Sequence, residues 1–465
     1  MAPKFGTSGL RGLVTELTPA LVADYVRAFL AACPTGGGLH VGRDLRDSSP
    51  DIAAAVIAAA RGAGVPVTDC GVLPTPALAL ASLEAGQGAI MVTGSHIPAD
   101  RNGLKFYVPT GEIAKSDEAA IAAALGSDAA EGSPAPVVQD DAALARYRAR
   151  YADAYGPTAL SGLRVGVYQH SSVARDVLPE ILTALGAEAV ALARSGSFVP
   201  VDTEALDPDT RGMLAGWCAE HGLDAVVSTD GDADRPMVAD AEGRVVPGDV
   251  LGVLTARALG ARILCTPVSS NSMITEMPDF AAIRRTRIGS PFVIAAMEDT
   301  LAAEPTARVV GYEANGGFLL GFRAAGPAGP LAPLMTRDCL LPIVAPLAAA
   351  AAAGLSLAEL GATLPPRFTA ADRLQDVPAE ASRALIDRLS EDDAARAAFF
   401  ADVGPESHVD LTDGLRVSFS TGVVVHLRPS GNAPECRVYA EAETEAAATA
   451  LVADHLARLK TALAA

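Results

Sequence analysis

The chain has 465 residues, half of them hydrophobic, and a formal net charge of -19. That length exceeds what one hydrophobic core serves and points to roughly three or four domains. The charge argues against nucleic acid or anionic membrane as a partner, since a polyanion would meet net repulsion, and admits an anionic small molecule only where arginines concentrate.

The start, "MAPKFGTSGL", has no basic stretch leading into an apolar one, so no secretion leader is expected. Six cysteines, at 33, 70, 218, 265, 339 and 436, are scattered without C-x-x-C spacing, against a disulfide framework or zinc site. The longest apolar run, Leu340 to Ala353, contains Pro342 and Pro346 and falls short of the ~20 residues a membrane span needs. The expectation is a cytoplasmic protein with no membrane contact and no obligate protein partner.

In chain order, short apolar runs alternate with alanine-rich helical stretches, the pattern of α/β units with helix-covered sheets. "RDSSPDIAAAVIAAARGAGVPVTDCG" shows one unit: Ser48 and Ser49 offer helix N-caps, Pro50 suits the first turn, and glycines close the helix. Gly126 to Asp141 reads as a linker or surface loop. A second unit starts at Gly162 with "GLRVGVYQHSSVARDVLPEILTALGAEAVAL" and a third near "ARILCTPVSSNSM"; Leu364 to Arg373 reads as another linker. The tail alternates like strands from Leu415 to Glu443 and ends in a helix, a small α+β unit. The boundaries that follow are 1–155, 156–258 and 259–368 for three α/β domains and 369–465 for the fourth.

Four of the apolar strands run into polar, glycine-bearing loops: "AIMVTGSH", "AVVSTDGDADR", "RVVGYEANGG" and "VVVHLRPSGNAPECR". Open α/β sheets bind ligands outside the carboxyl ends of their strands, so these loops are expected to line one cleft. In "DGDADR", Asp230, Asp232 and Asp234 alternate, which in an extended segment puts three carboxylates on one side, where a hard cation such as Mg2+ relieves their repulsion. An acidic surface turn is the bland alternative. An EF-hand is disfavoured, because Arg235 and Ala241 stand where its glycine and glutamate belong. Arg235 either balances these charges or faces an anion shared with the metal, and a phosphate on a neighbouring serine would be such an anion.

Ser95, between Gly94 and His96, does not fit the G-x-S-x-G elbow of hydrolases. Lys105 is one of four lysines among 36 basic residues; unlike arginine, lysine can lose its proton when desolvated and act as a general acid or base. His96 either shares that work or orients the loop. The stretch "RPSGNAPECR" offers Arg428, Ser430, Asn432 and Arg437 for a phosphate monoester, and "GYEANGGF" offers Glu313 and Asn315 for sugar hydroxyls. Taken singly, a helix cap, a loop hydrogen bond, a solvated charge or a strand connection explains each of these.

Taken together and in order, "FGTSGLRG" (Phe5 to Gly12), "TGSHIPADRNGLKFY", "DGDADR", "GYEANGGF" and "RPSGNAPECRVYAEA" resemble the α-D-phosphohexomutase superfamily, and within it the bacterial phosphomannomutase/phosphoglucomutase group, over nearly the whole chain. The resemblance implies three similar α/β domains and a smaller fourth around a central cleft. It implies that Ser95 is a phosphoserine and, with Asp230, Asp232 and Asp234, a ligand of Mg2+. Arg235 would steady the phosphoryl group, and Lys105, with Arg11 and His96, would handle protons. Glu313 and Asn315 would hold the sugar, and Arg428, Ser430, Gly431, Asn432 and Arg437 the substrate's own phosphate. The implied activity interconverts hexose 6-phosphate and hexose 1-phosphate, mannose first and glucose second, with a hexose 1,6-bisphosphate as intermediate and activator. The alternatives are a phosphoglucosamine mutase, a silent sugar-phosphate binding protein and a metal-dependent phosphatase. Gly94 stands at a usual alanine, Ile97 at a usual asparagine and Asn432 at a usual threonine; Asn315 and Gly317 replace a usual serine and histidine of the sugar loop.

Overall fold

A strand-helix-strand-helix-strand path laid down three times determines where the polar loops fall. The computed structural model describes residues 3–6, 9–126, 133–204, 206–429 and 435–464. In the first sheet Leu39–Arg43 lies between Val67–Val72 and Gly88–Val92, all parallel, and Arg101–Val108 returns antiparallel beside Gly88–Val92. The second sheet repeats this with Arg164–His170 between Glu188–Arg194 and Ala225–Thr229, and Pro236–Ala239 antiparallel. The third does so with Ile263–Pro267 between Ala282–Thr286 and Val309–Tyr312, and Phe318–Leu320 antiparallel. Parallel neighbours need crossovers, and helices such as Ser49–Gly62, Thr75–Ala85, Pro208–His221 and Ser290–Ala303 supply them. Each unit therefore presents its loop between the third parallel strand and the antiparallel one, at residues 93–100, 230–235 and 313–317, and these are three of the stretches singled out above.

The fourth sheet is antiparallel throughout, in the order Phe368–Gln375, Glu435–Ala442, Val424–Pro429, Leu415–Phe419, Glu406–Asp410. Helices Ala379–Glu391 and Glu445–Ala464 accompany it. This is the small α+β unit expected of the tail.

Two stretches read as linkers contain strands. Val137–Gln139 pairs parallel with Val67–Val72 at the sheet edge, and Phe368–Gln375 pairs along its full length with Glu435–Ala442. Both are edge strands largely open to solvent, so neither carries the apolar alternation by which a strand is recognised. The serines at 48 and 49 do not cap their helix either. Ser49 Oγ donates to Asp44 and Ser48 Oγ accepts from Asn102 Nδ2 at 2.9 Å, while neither makes a side-chain cap bond; stronger partners in the neighbouring loops take them.

The apolar run at 340–353 is a helix, Leu340–Ala353, buried nearly all round and packed against Gly248–Ala258. A helix apolar on every side belongs inside a core, and no described helix is long and apolar enough to cross a membrane. Helix Ala143–Tyr155 is tied to the third sheet through Asp338, whose carboxylate accepts from Tyr147 Oη at 2.6 Å and also from Tyr151. All six cysteines are free.

Candidate active site

Ser95 is buried, and its backbone has φ +53°, a left-handed conformation that costs a non-glycine residue roughly 1–2 kcal/mol. The surroundings enforce it. Asp44, just past the carboxyl end of Leu39–Arg43, accepts from Thr93 Oγ1 at 2.7 Å and Gly94 N at 3.3 Å, and Thr93 Oγ1 in turn accepts from Ser95 N at 2.8 Å. Arg46 lies beneath the loop with its side chain 1% exposed. It donates to the carbonyls of Ser95 (2.9 Å), Ile97 (2.6 Å), Pro98 (2.8 Å) and Arg101 (3.0 Å), and its Nε lies 3.2 Å from Asp44. A Cβ on Gly94 would stand 2.5 Å from this guanidinium, so glycine lets the arginine lie flat against the backbone, and the usual alanine would force it to shift.

Ser95 Oγ donates to Asp230 Oδ2 at 2.5 Å and lies 3.2 Å from His96 Nδ1. This joins the loop of the first unit to that of the second. The three aspartates converge because residues 230–235 fold into a tight turn rather than an extended segment: Ala233 has φ +58°, and Asp230 Oδ1 accepts from Asp234 N at 3.2 Å and Arg235 N at 3.3 Å. All three are buried, and one oxygen of each lies within 4.8 Å of the others. Lys105 Nζ reaches Asp232 Oδ2 and Asp234 Oδ2 at 2.5 Å each, Thr75 Oγ1 donates to Asp232 Oδ2 at 2.5 Å, and Arg337 reaches Asp234 Oδ2 at 2.7 Å. The remaining oxygens, Asp232 Oδ1 and Asp234 Oδ1, are buried without a hydrogen-bond partner among the described residues. Orphaned carboxylate oxygens in an all-oxygen set fit a hard divalent cation, which takes such ligands and repays their desolvation.

The electrostatics follow from burial and this mixture of charges. Burial and the charges of Asp232 and Asp234 push the Asp230 carboxyl up. Burial acts the same way on Asp232, but Lys105 and the Thr75 hydroxyl outweigh it and hold that carboxyl down. Burial, then Arg235 and Arg11, depress His96 to about 2, so its imidazole is neutral and suited to orienting Ser95 rather than carrying a proton. Burial lowers Arg11 to about 10 despite Asp232 and Asp234; its guanidinium donates to Thr93 O at 2.6 Å. Arg235 lies 3.7 Å from Glu204 and 3.9 Å from Asp234.

Glu313 joins this centre through Arg337, which reaches it at 3.4 Å. Asn315 Oδ1 accepts from Gly317 N at 3.0 Å, and its carbonyl accepts from Thr203 Oγ1 at 3.3 Å. The departure at 317 has a physical account: a Cβ there would stand 2.8 Å from Arg337 Cδ and 2.9 Å from its Cγ, so the stem of Arg337 occupies the space a histidine would need. Arg428 pairs with Asp413 at 3.0 Å and Arg437 with Glu435 at 2.8 Å, both within the fourth sheet's hairpins. Asp413 also accepts from Ile288 N of the third unit at 2.9 Å. Ser430, Gly431 and Asn432 lie outside the described residues.

The structure thus brings Ser95, His96, Lys105, Arg11, Arg235 and the three aspartates together, with Glu313 attached. Sequence reasoning missed Asp44, Arg46, Thr75, Arg337 and Asp413. For Asp44 and Arg46 the signal is their place at the end of a central parallel strand, in "VGRDLRDSS"; for Arg337 it is a charged pair inside the apolar run "PLMTRDCLL".

Comparison with known proteins agrees with this arrangement. Four family models described as phosphoglucomutase/phosphomannomutase match the chain: alpha/beta/alpha domain I over residues 2–131, domain II over 146–243, domain III over 247–368 and the C-terminal domain over 372–459. A phosphomannomutase of Sinorhizobium fredii is 45% identical over 475 residues, covering 100% of both chains. One from Salmonella muenchen is 42% identical over 99% of this chain and 96% of its own. A solved phosphoglucomutase/phosphomannomutase family protein from Burkholderia thailandensis superposes with a TM-score of 0.78, covering 98% of this chain and 97% of its own at 23% identity, a likeness of fold.

Proposed function

Because the chain belongs to the phosphoglucomutase/phosphomannomutase family of α-D-phosphohexomutases, we propose that it interconverts hexose 6-phosphate and hexose 1-phosphate, mannose before glucose, with Ser95 as the phosphoryl carrier. The observation that carries this reading is the 2.5 Å bond from Ser95 Oγ to Asp230, which sets the accepting hydroxyl beside a buried carboxylate triad.

In the forward half-reaction the free hydroxyl of the bound hexose phosphate attacks the phosphorus on Ser95. An O–P bond to the sugar forms, the Oγ–P bond breaks, and the hydroxyl's proton ends on Ser95 Oγ. The 1,6-bisphosphate then turns over, and the return step forms a new Oγ–P bond at the expense of the other sugar phosphate. Asp230, Asp232, Asp234 and the Ser95 phosphate would hold Mg2+, which would supply charge neutralisation of the transferring group. Arg11 and Arg235 place cationic charge beside the same loop without reorganisation during transfer. Lys105 moves the proton, and His96, neutral and 3.2 Å from Oγ, orients the serine. Glu313 and Asn315 accept and donate to sugar hydroxyls. Arg428 and Arg437, with Ser430, Gly431 and Asn432, hold the phosphate that is not reacting. The domain division at 155/156, 258/259 and 368/369 belongs to the same reading.

The test is a coupled assay with mannose 1-phosphate, glucose 1,6-bisphosphate and Mg2+, with glucose and glucosamine phosphates in parallel. Mannose 6-phosphate as the preferred product supports the reading. Release of inorganic phosphate alone marks a phosphatase, preference for glucosamine phosphate a different mutase, and no turnover a binding protein.

A further inference from the structure

Arg46 spends its fork on the backbone of one loop. Its Nη1 and Nη2 donate to four carbonyls, those of Ser95, Ile97, Pro98 and Arg101, with Asp44 beside its Nε. Over the guanidinium lies Phe198, from the second unit's segment between Glu188–Arg194 and Pro208–His221, with its ring centroid 3.9 Å from Cζ. The same ring closes on the aspartate turn: a Cβ on Gly231 would stand 3.1 Å from Phe198 Cε2. The arginine thus fixes the backbone that carries Ser95 in its left-handed conformation, and the phenylalanine presses that assembly against the turn that carries Asp230. A planar guanidinium matches convergent carbonyls and an aromatic face at once, which an ammonium does not.

We propose that Arg46 and Phe198 are positioning residues for phosphoryl transfer, holding Ser95 Oγ in register with the Asp230 turn across the junction of the first two units without touching substrate. The proposal rests on the functional reading above. Transfer is sensitive to register: a displacement of about 1 Å costs on the order of 10²-fold in rate. The substrate's own phosphate and sugar are held by other loops, so the loss falls on kcat and leaves KM in place.

The experiment measures kcat and KM for mannose 1-phosphate with glucose 1,6-bisphosphate and Mg2+, melting temperature, and the rate at which glucose 1,6-bisphosphate phosphorylates Ser95, followed by intact mass. It compares wild type, Arg46→Lys, Phe198→Leu and Phe198→Tyr. Arg46→Lys is expected to lower kcat and the phosphorylation rate by about 10²-fold, with KM within about threefold of wild type. Phe198→Leu should lose roughly 2–30-fold, the range of a cation–π contact, and Phe198→Tyr should restore it. Phe198 is half-buried at the surface of its segment, so its variants decide the matter if Arg46→Lys does not fold. An active wild type with kcat unchanged in Phe198→Leu, or with kcat falling and KM rising together in step with melting temperature, overturns this proposal alone. A wild type that turns over no hexose phosphate overturns the functional reading, and this proposal with it.

Discussion

The loop that carries Ser95 and the hairpin that carries Arg428 and Arg437 use arginine in opposite ways. Arg46, under the first, is fully buried, with both Nη groups donating to loop carbonyls. In the hairpin, Arg428 is 16% and Arg437 37% exposed at the side chain, each paired with a carboxylate, Asp413 and Glu435. A buried guanidinium held by loop carbonyls and the equally buried Asp44 has nothing left to offer a ligand and stabilises a shape, since removing those partners would leave a desolvated charge. One that is partly wet and held by a carboxylate can turn to an incoming phosphate, which it grips bidentately. On the proposed function, chemistry sits where the protein is most constrained, and substrate capture where its charges are exchangeable.

Substitutions on the two sides should accordingly fail in different parameters. If Ser95 is the covalent carrier, the largest loss is expected from Ser95→Ala, on the order of 10⁴-fold or more in kcat. Its melting temperature should stay near wild type, and incubation with glucose 1,6-bisphosphate should add a phosphate to the wild type and none to the variant. Lys105→Arg keeps the charge between Asp232 and Asp234 but installs a group that does not deprotonate in proteins. It should lose the roughly 10²–10⁴-fold typical of general acid–base catalysis with KM little changed; near-normal kcat would reduce Lys105 to a counter-ion. Asp232→Asn removes one ligand charge from the triad, and the Mg2+ concentration for half activity should rise about 10–100-fold. An unchanged Mg2+ titration would remove Asp232 from the metal site. On the capture side, Arg428→Lys loses the fork but not the charge and should raise KM about tenfold with kcat intact. A fall in its kcat instead would erase the contrast between the two arginine sites.

Much of this was legible in the chain because an apolar strand ending in a polar, glycine-bearing loop is a local pattern. The loops at 93–100, 230–235 and 313–317 could be located, and Ser95, the three aspartates and Glu313 named, before their mutual distances were known. The convergence of the aspartates was anticipated for the wrong reason: it arises from the turn at Ala233 rather than from extended alternation, and nothing short of the backbone path distinguishes the two. Arg46 and Arg337 were invisible because each gains its meaning from segments distant in sequence, Arg46 from carbonyls about fifty residues on and Phe198 in another unit, Arg337 from Asp234 and Glu313. Ser48 and Ser49 differ from their expected capping role for the same reason, since their actual partners, Asn102 and Asp44, lie outside their helix. Edge strands such as Phe368–Gln375 have too little burial to leave a pattern at all.

Passage of a phosphoryl group through Ser95 can be followed directly. Protein carrying an isotopically labelled phosphate on Ser95 is mixed with unlabelled mannose 1-phosphate and Mg2+, quenched within one turnover, and the label is located. With Ser95 as the carrier, label leaves it at a rate no slower than kcat and appears in mannose 1,6-bisphosphate and mannose 6-phosphate. Label that stays on Ser95 while mannose 6-phosphate forms would contradict that role.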